Sequence, residues 1–181
     1  WTTIVAADYF ATGQPPKPIG NDHPGIVPYQ VFHTIDKPVI IAVGTDKLWA
    51  AFCAVLGLGP EVRDDPRFAD NPARVANRQS LIPILQSQLS TQSADYWLPR
   101  LRAAEIPCGP INSVPDLLND PHYLARQNLV TFGGLTTLAS PMKLADTPPG
   151  YRLPPPKMGQ HSREILESLG YSESEIAMLL G

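Results

Sequence analysis

Two neighbouring segments show the hydrophobic periodicity of β-strands. Residues 28–35 (PYQVFHTI) alternate between apolar and polar side chains, which is the pattern of a strand with one buried face. Residues 38–44 (PVIIAVG) are almost continuously apolar and predict a strand in the centre of a sheet. Asp36 and Lys37 lie between the two segments, so the sequence predicts a tight hairpin.

Helical periodicity replaces this pattern in the middle of the chain. TDKLWAAFCAVLGLG predicts an amphipathic helix that begins at an N-cap, Thr45, and ends at Gly57 or Gly59. A second helical pattern starts near Asn71, and Pro83 should kink it or restart it. TQSADYWLPRLRAAE predicts a further helix.

Apolar residues also occur in the segments that flank this region. WTTIVAADYFATG resembles the last turns of a helix that ends at Gly13, and LVTFGGLTTL predicts two strands around a Gly133–Gly134 turn. Ser172 and Glu175 form a capping-box pattern near the end. The fold class is therefore a small α/β or α+β domain with two arms, whose apolar faces should dock on a surface outside this chain.

Composition narrows the class of protein. The chain has 181 residues, 43% of them hydrophobic, and a net charge of −3, which argues against nucleic acid as a main partner. Its 21 prolines are dispersed except in TPPGYRLPPPK (147–157), which predicts a semi-rigid connector. Cys53 and Cys108 form neither a disulfide framework nor a zinc motif, and Cys53 should be a buried thiol. This cysteine usage fits a reducing, cytoplasmic location.

The strongest candidate for chemistry is the loop GNDHP, residues 20–24, directly before the first strand. Gly20 allows close backbone approach, and Asn21 and His23 offer hydrogen-bond donors and acceptors, with Pro24 closing the loop. The same residue types also explain a plain turn, so both interpretations stay open. Asp22 should face solvent or cap a backbone N–H group.

Two further stretches are equally ambiguous between a binding role and a turn. CGPIN contains Asn112, and MGQH contains Gln160 and His161, where Gly159 before a helix could direct N–H groups at an anion. The four histidines have no Cys, Asp or Glu at metal-ligand spacing, so we expect no metal site.

Six motifs in a fixed order carry a resemblance to a known family. GNDHPGIVPYQVF, GTDKLWAAFCAVLGL, DPRFADNPARVANR, W…L…IPCGPIN, DPH and MGQHSREILESLGY together resemble the C-terminal half of the family III CoA-transferases, the CaiB/BaiF family. That family includes formyl-CoA, carnitine and succinyl-CoA-type transferases and α-methylacyl-CoA racemase. The resemblance covers nearly the whole chain.

The resemblance implies an organisation that the residues alone do not show. Residues 1–23 would be a linker arm and the active-site loop, 24–135 a small α/β domain, and 136–181 a return linker with C-terminal helices. Both arms would pack on a Rossmann-like domain absent from this chain, and two full-length chains would interlock as a homodimer. The chain opens on Trp1 without a Met, so we expect it to be part of a longer protein.

The resemblance also implies a function. The full-length protein would be an acyl-CoA:carboxylate CoA-transferase, with coenzyme A thioester as substrate and no permanently bound cofactor. The nucleophilic Asp would lie upstream, so this chain alone should be inactive. A racemase of the same family and a non-catalytic interaction module are the alternatives; neither a nucleic acid nor a membrane partner is expected. A eukaryotic protein could be mitochondrial or peroxisomal.

Residue by residue, the resemblance places the active-site loop at Gly20, Asn21, His23 and Pro24. Residues expected to support the loop or the substrate from behind are Tyr29, Gln30, Asn112, Gln160 and His161. Formyl-CoA transferases carry a glycine run where this chain has GNDHPG, and this difference argues against a formyl-CoA/oxalate enzyme and towards a succinyl-CoA-type donor. Asp36-Lys37-Pro38 also replaces a common Asp-Gly, so the hairpin should have a different turn type.

Overall fold

A computed structural model describes residues 3–181, and the chain divides into two compact units. The first unit ends at Ile111 and the second runs from Asn112 to Gly181. The small domain at residues 24–135 that the resemblance implies stays a prediction. The strand pair predicted around Gly133 forms its own two-stranded sheet, which is not part of the three-stranded sheet of the first unit.

The first unit packs helices on a three-stranded antiparallel sheet. Its elements are α1 (Thr3–Thr12), β1 (Tyr29–His33), β2 (Pro38–Ala42), α2 (Asp46–Leu56), α3 (Pro60–Arg63), α4 (Asn71–Ala76), α5 (Arg78–Leu89), α6 (Ala94–Ala103) and β3 (Cys108–Pro110). The strand order β1-β2-β3 confirms that β2 is central. The pattern did not predict β3, which has three residues and contains Gly and Pro.

The two faces of the sheet have different surroundings. Gln30 and Phe32 of β1 are buried, as are Val39 and Ile41 of β2, and these residues face a core built with α2, α5 and α6. The intervening residues of both strands are only half-buried or exposed. The alternation of residues 29–33 therefore describes β1 correctly, with its helix-facing side formed by the even-numbered positions.

Gln30 is a polar residue within this core. Its side chain is 7% exposed, and its Oε1 atom accepts no hydrogen bond. An unsatisfied buried acceptor is costly, so we expect Gln30→Met to raise the free energy of unfolding by about 1 kcal/mol. Gln86→Met is the matched control and should lower the free energy of unfolding, because the Gln86 amide bonds both the N–H and the C=O of His33. Urea unfolding of both variants tests this, and a destabilised Gln30→Met protein would contradict it.

The β1–β2 connection is longer than the sequence predicts. His33 pairs with Pro38, so residues 34–37 form a four-residue link, within which the Thr34 N–H donates to the Lys37 carbonyl at 3.3 Å. The Asp36 carboxylate organises it by accepting hydrogen bonds from the Thr34 hydroxyl (2.7 Å) and from the backbone N–H of Ala94 (2.8 Å). Because Ala94 is the first residue of α6, Asp36 fastens the hairpin to that helix.

We expect this Asp36 contact to make stability depend on pH. The hydrogen bond from Thr34, and then that from the Ala94 N–H, holds the pKa of Asp36 below its ordinary value of 3.8. A lowered folded-state pKa gives stability that is fully present above about pH 4 and is lost as the pH falls through the folded value. Wild type should therefore exceed Asp36→Asn in stability at pH 7, and the gap should close in strong acid. Denaturation of both proteins across this range tests this; a gap independent of pH would refute it.

The helical breaks are set by caps more than by prolines. The helix predicted from Asn71 is interrupted at Asn77, which ends α4 and begins α5, whereas α5 continues through Pro83. The Asn77 side chain donates to the Ala73 carbonyl at 2.9 Å and so satisfies the end of α4. Pro83 has no N–H group, so the carbonyl of Gln79, four residues earlier, loses its helical hydrogen bond. Both residues are exposed, so water can bond that carbonyl.

Helix α2 forms as the sequence predicts. The Thr45 hydroxyl accepts from the Leu48 N–H, and Gly57 ends the helix in the left-handed conformation at φ 69°. Cys53 is fully buried, and this burial raises the pKa of its thiol to about 12. The Cys53 thiol therefore remains protonated and unreactive at neutral pH.

The second unit contains little core. Its elements are α7 (Val114–Leu118), α8 (Pro121–Ala125), β4 (Leu129–Phe132), β5 (Leu135–Leu138), α9 (Ser162–Ser168) and α10 (Glu173–Leu180). Gly133 and Gly134 make the β4–β5 turn with positive φ, and Ser172 and Glu175 form the predicted capping box. Of the residues described in this unit, Ile176 alone is buried. No helix within residues 3–181 is long and apolar enough to cross a bilayer.

Candidate active site

The face of the sheet opposite the helices forms the floor of a groove in the first unit. The groove has a volume of about 950 Å³. Apolar side chains of the strands lie on its floor, and α1 with the segment after it supplies the remaining walls. The lining residues that carry this description are Val5, Asp8, Lys17, Ile19, Tyr29, Val31, Ile40 and Ile111, together with the loop 20–24.

The loop predicted from the sequence, Gly20–Pro24, lies on the groove. Gly20 has φ 65°, a conformation in which a side chain would be strained. The Asp22 N–H donates to the Ile19 carbonyl at 3.3 Å, which closes a turn around this glycine. Asn21 is exposed, and its amide makes no hydrogen bond with any residue in 3–181. Both its donor and its acceptor are therefore available to a ligand.

His23 is the most firmly held side chain of the loop. Its imidazole stacks on the Tyr29 ring, with 5.3 Å between ring centroids and 9° between planes. Its backbone N–H donates to the Tyr29 carbonyl at 2.9 Å, and its Nδ1 accepts from the Gly25 N–H at 3.1 Å. Tyr29, which the sequence predicts as a supporting residue, therefore contacts the loop directly.

Three polar residues of α4 and α5 hold the loop from behind, and sequence reasoning missed all of them. The Asn71 amide donates to the Gly25 carbonyl at 2.8 Å and accepts from the Val27 N–H at 3.0 Å. Arg74 and Arg78 bond other parts of the same segment. These three residues stand at positions i, i+3 and i+7, with Asn71 and Arg74 in α4 and Arg78 at the start of α5. That spacing in DNPARVANR was the signal available in the sequence.

Arg74 is completely buried despite its charge. Its guanidinium donates to the carbonyls of Val27 (2.9 Å) and Phe68 (3.0 Å) and to the Asp46 carboxylate (3.0 Å). It also lies over the Trp49 ring, 5.1 Å from the centroid. A buried cation is tolerated only when its hydrogen-bond donors have acceptors. The two carbonyls and the carboxylate supply these acceptors to Arg74. Arg74 thereby fixes the point where the loop enters β1.

Asp22 differs from its prediction. It neither faces solvent freely nor caps a backbone N–H group, because its Oδ2 lies 3.3 Å from the Arg78 Nη1. Arg78 also donates through Nη2 to the His23 carbonyl. The charge of Arg78, which sequence reasoning left out, explains the difference. The negative charge of Asp22 is thus balanced by Arg78 of α5.

The other predicted site residues are not among the residues that line this groove. Gln30 is on the helix-facing side of β1 and does not line the groove. Asn112, Gln160 and His161 belong to the second unit. There, the Gln160 Oε1 accepts from the Lys157 N–H at 2.8 Å, and the His161 Nδ1 lies 3.2 Å from the Glu164 Oε2. The structure therefore gathers the loop and Tyr29 in one groove of the first unit.

The chemistry available in the groove is hydrogen bonding more than nucleophilic attack. Burial raises the pKa of both thiols, Cys53 and Cys108, and neither lines the groove. No group of three metal-binding side chains occurs in the part of the chain that the structure describes. A polar loop above an apolar floor can orient a ligand with a polar end and a hydrocarbon portion.

Comparison with known proteins decides the family. Residues 1–162 match the family model described as CoA-transferase family III. The chain belongs to CoA-transferase family III. The fold agrees, because a crystal structure of a CaiB/BaiF family protein from Brucella suis superposes with a TM-score of 0.80 at 35% identity, covering 93% of this chain and 44% of that one.

Curated relatives of this CoA-transferase family III chain carry transferase names. An acetyl-CoA:oxalate CoA-transferase of Acetobacter aceti is 36% identical over 92% of this chain and 43% of its own length. A succinyl-CoA:glutarate CoA-transferase of Mus musculus is 35% identical over 98% of this chain and 42% of its own length. The chain thus spans less than half the length of these relatives.

Proposed function

We propose that this chain is the C-terminal part of an acyl-CoA:carboxylate CoA-transferase, which moves coenzyme A from an acyl-CoA donor to a carboxylic acid. The observation that carries the proposal is the match of residues 1–162 to CoA-transferase family III. The names of the relatives support a transferase over the alternative of a racemase. A protein of this family would use the CoA thioester as a substrate and would need no permanently bound cofactor.

The reaction would proceed through covalent carboxylate catalysis by an Asp outside this chain. The Asp carboxylate attacks the thioester carbonyl, which forms an acyl anhydride and releases CoA thiolate. The thiolate then attacks the Asp carbonyl, giving an aspartyl thioester and the free donor acid. The acceptor carboxylate repeats the two steps in reverse, so the Asp is regenerated and the acceptor leaves as its CoA thioester.

The residues of this chain would bind and cover the reacting groups. Asn21 and His23 offer hydrogen bonds to carbonyl or carboxylate oxygens, and the Gly20 turn lets the backbone approach them. Tyr29 supports His23 by stacking. Asn112, Gln160 and His161 would act with the rest of the full-length protein, which we propose to be an interlocked homodimer.

The acyl-CoA donor and the acceptor acid are proposed on separate grounds. The GNDHPG loop argues against a formyl-CoA/oxalate enzyme and favours a succinyl-CoA-type donor, because formyl-CoA transferases carry a glycine run at this position. Relatives named for oxalate and for glutarate match this chain at 36% and 35% identity, so the degree of identity favours neither acid. A dicarboxylic acid is common to both relatives' names, and we propose that class for the acceptor.

Assay of the full-length protein tests the proposal. The purified protein is incubated with acetyl-, succinyl- and formyl-CoA in turn, each with oxalate, glutarate or succinate, and the CoA esters are separated by mass. We expect a new CoA ester only when a donor and an acceptor acid are both present. Loss of stereochemical purity in a 2-methylacyl-CoA without any acceptor acid would favour the racemase. No reaction with any combination would overturn the proposed function.

A further inference from the structure

We propose that His23 acts in the groove as a hydrogen-bond donor through Nε2, and that Arg78 is the positioning residue that holds it in this state. The inference rests on the proposed CoA-transferase function, and it specifies what one loop residue offers to the substrate. Its starting point is the hydrogen bond from the Gly25 N–H to the His23 Nδ1, at 3.1 Å.

This hydrogen bond selects one tautomer of the imidazole. A neutral imidazole carries one N–H, and a nitrogen that accepts a hydrogen bond cannot carry it. Because the Gly25 N–H donates to Nδ1, the proton of neutral His23 resides on Nε2. Nε2 makes no hydrogen bond with any residue that the structure describes, and His23 lines the groove. The free N–H is therefore available to a ligand oxygen.

The short turn that creates this bond is held at both ends. Arg78 donates to the His23 carbonyl, and Asn71 donates to the Gly25 carbonyl at 2.8 Å. Stacking on Tyr29 fixes the plane of the ring between them. The Gly25 N–H is thus kept within hydrogen-bond distance of Nδ1 by contacts outside the loop itself.

Arg78 also removes a competing acceptor. Its Nη1 lies 3.3 Å from the Asp22 carboxylate, which precedes His23 in the loop. An unpaired carboxylate there would repel an anionic acid and could draw the His23 N–H to itself. With Asp22 paired, the loop presents donors to the groove, and these suit the oxygens of a thioester, an anhydride or a carboxylate.

Nuclear magnetic resonance of the full-length protein, labelled with ¹⁵N-histidine, tests the tautomer directly. His23 signals are assigned by their loss in His23→Gln. At a pH where the imidazole is neutral, we expect the Nδ1 shift of an unprotonated nitrogen and the Nε2 shift of a protonated one. The reverse pattern would overturn the proposal. This readout needs no turnover, so a protein without transferase activity would refute the proposed function and still report the tautomer.

The role of Arg78 is tested in the same protein. Arg78→Gln should shift the His23 signals towards a mixture of tautomers and lower kcat for transfer about tenfold with little change in KM. Arg78→Lys, which keeps the charge, should recover part of both. Arg63→Gln is the control, because Arg63 forms a similar pair with Asp64 on the surface. Unchanged His23 shifts in Arg78→Gln would remove Arg78 from the proposal.

Discussion

Replacing Arg74 by Leu should destabilise the protein by about 3–5 kcal/mol, a larger loss of stability than we expect from changing Asp36 or Arg67. Leucine fills part of the space but donates nothing. The carbonyls of Val27 and Phe68, both buried residues, would each lose a charged hydrogen bond without access to water. Trp49 would lose its cationic neighbour as well.

Urea unfolding followed by circular dichroism measures this effect. Arg67→Leu is the control, because Arg67 is exposed, forms an ion pair with Asp65 at 2.7 Å and contacts the Phe68 ring. We expect that variant to unfold close to wild type. Arg74→Lys should lie between the two, since a single ammonium group cannot reach three acceptors in the planar arrangement of a guanidinium. A loss below about 1 kcal/mol for Arg74→Leu would contradict the role assigned to this contact.

The second large effect concerns the loop 20–24 and the competition between hydrolysis of acyl-CoA and transfer of CoA. In the complete enzyme, Asn21→Ala and His23→Ala should each raise the ratio of acyl-CoA hydrolysis to CoA transfer. An anhydride hydrolyses when water reaches it, and the loop would cover the reacting carbonyl and hydrogen-bond its oxygens. Each substitution should cost about 1–3 kcal/mol of transition-state stabilisation, the scale of one lost buried hydrogen bond.

Parallel assays of free CoA release and of product CoA ester give both rates. His33→Ala is the control, because His33 is exposed at the end of β1 and does not line the groove. If Asn21→Ala and His23→Ala both keep wild-type rates of transfer and hydrolysis, the loop is only a turn leading into β1. The plain-turn interpretation of GNDHP would then be correct.

Periodicity and cap chemistry predicted the elements that depend on neighbours in sequence. Thr45 and Gly57 mark the two ends of α2, as predicted, because a cap is a local interaction. The predicted alternation is present in β1 because one face of the strand is buried. The link between β1 and β2 also contains a contact from Asp36 to the Ala94 N–H, which is 58 residues away. Such a contact has no local signature, so the sequence could not predict it.

The candidate site shows the same limit. The sequence GNDHP shows the residue types of the loop. The side chains that hold the loop segment lie 44 to 56 residues further along the chain. An Arg in a helical pattern is usually exposed to solvent, so the sequence did not identify Arg74 or Arg78 as site residues. The buried position of Arg74 arises from tertiary packing around Val27 and Phe68, which no single segment encodes.

The dependence of the loop on distant side chains of α4 and α5 has a consequence for engineering. A chimaera that receives only residues 20–28 from a relative would place a foreign loop on the native Asn71, Arg74 and Arg78. Those donors match the carbonyl positions and the Asp22 charge of the present loop. Exchange of substrate preference between relatives should therefore require grafting both segments together, and natural recombination within this family should respect the same linkage.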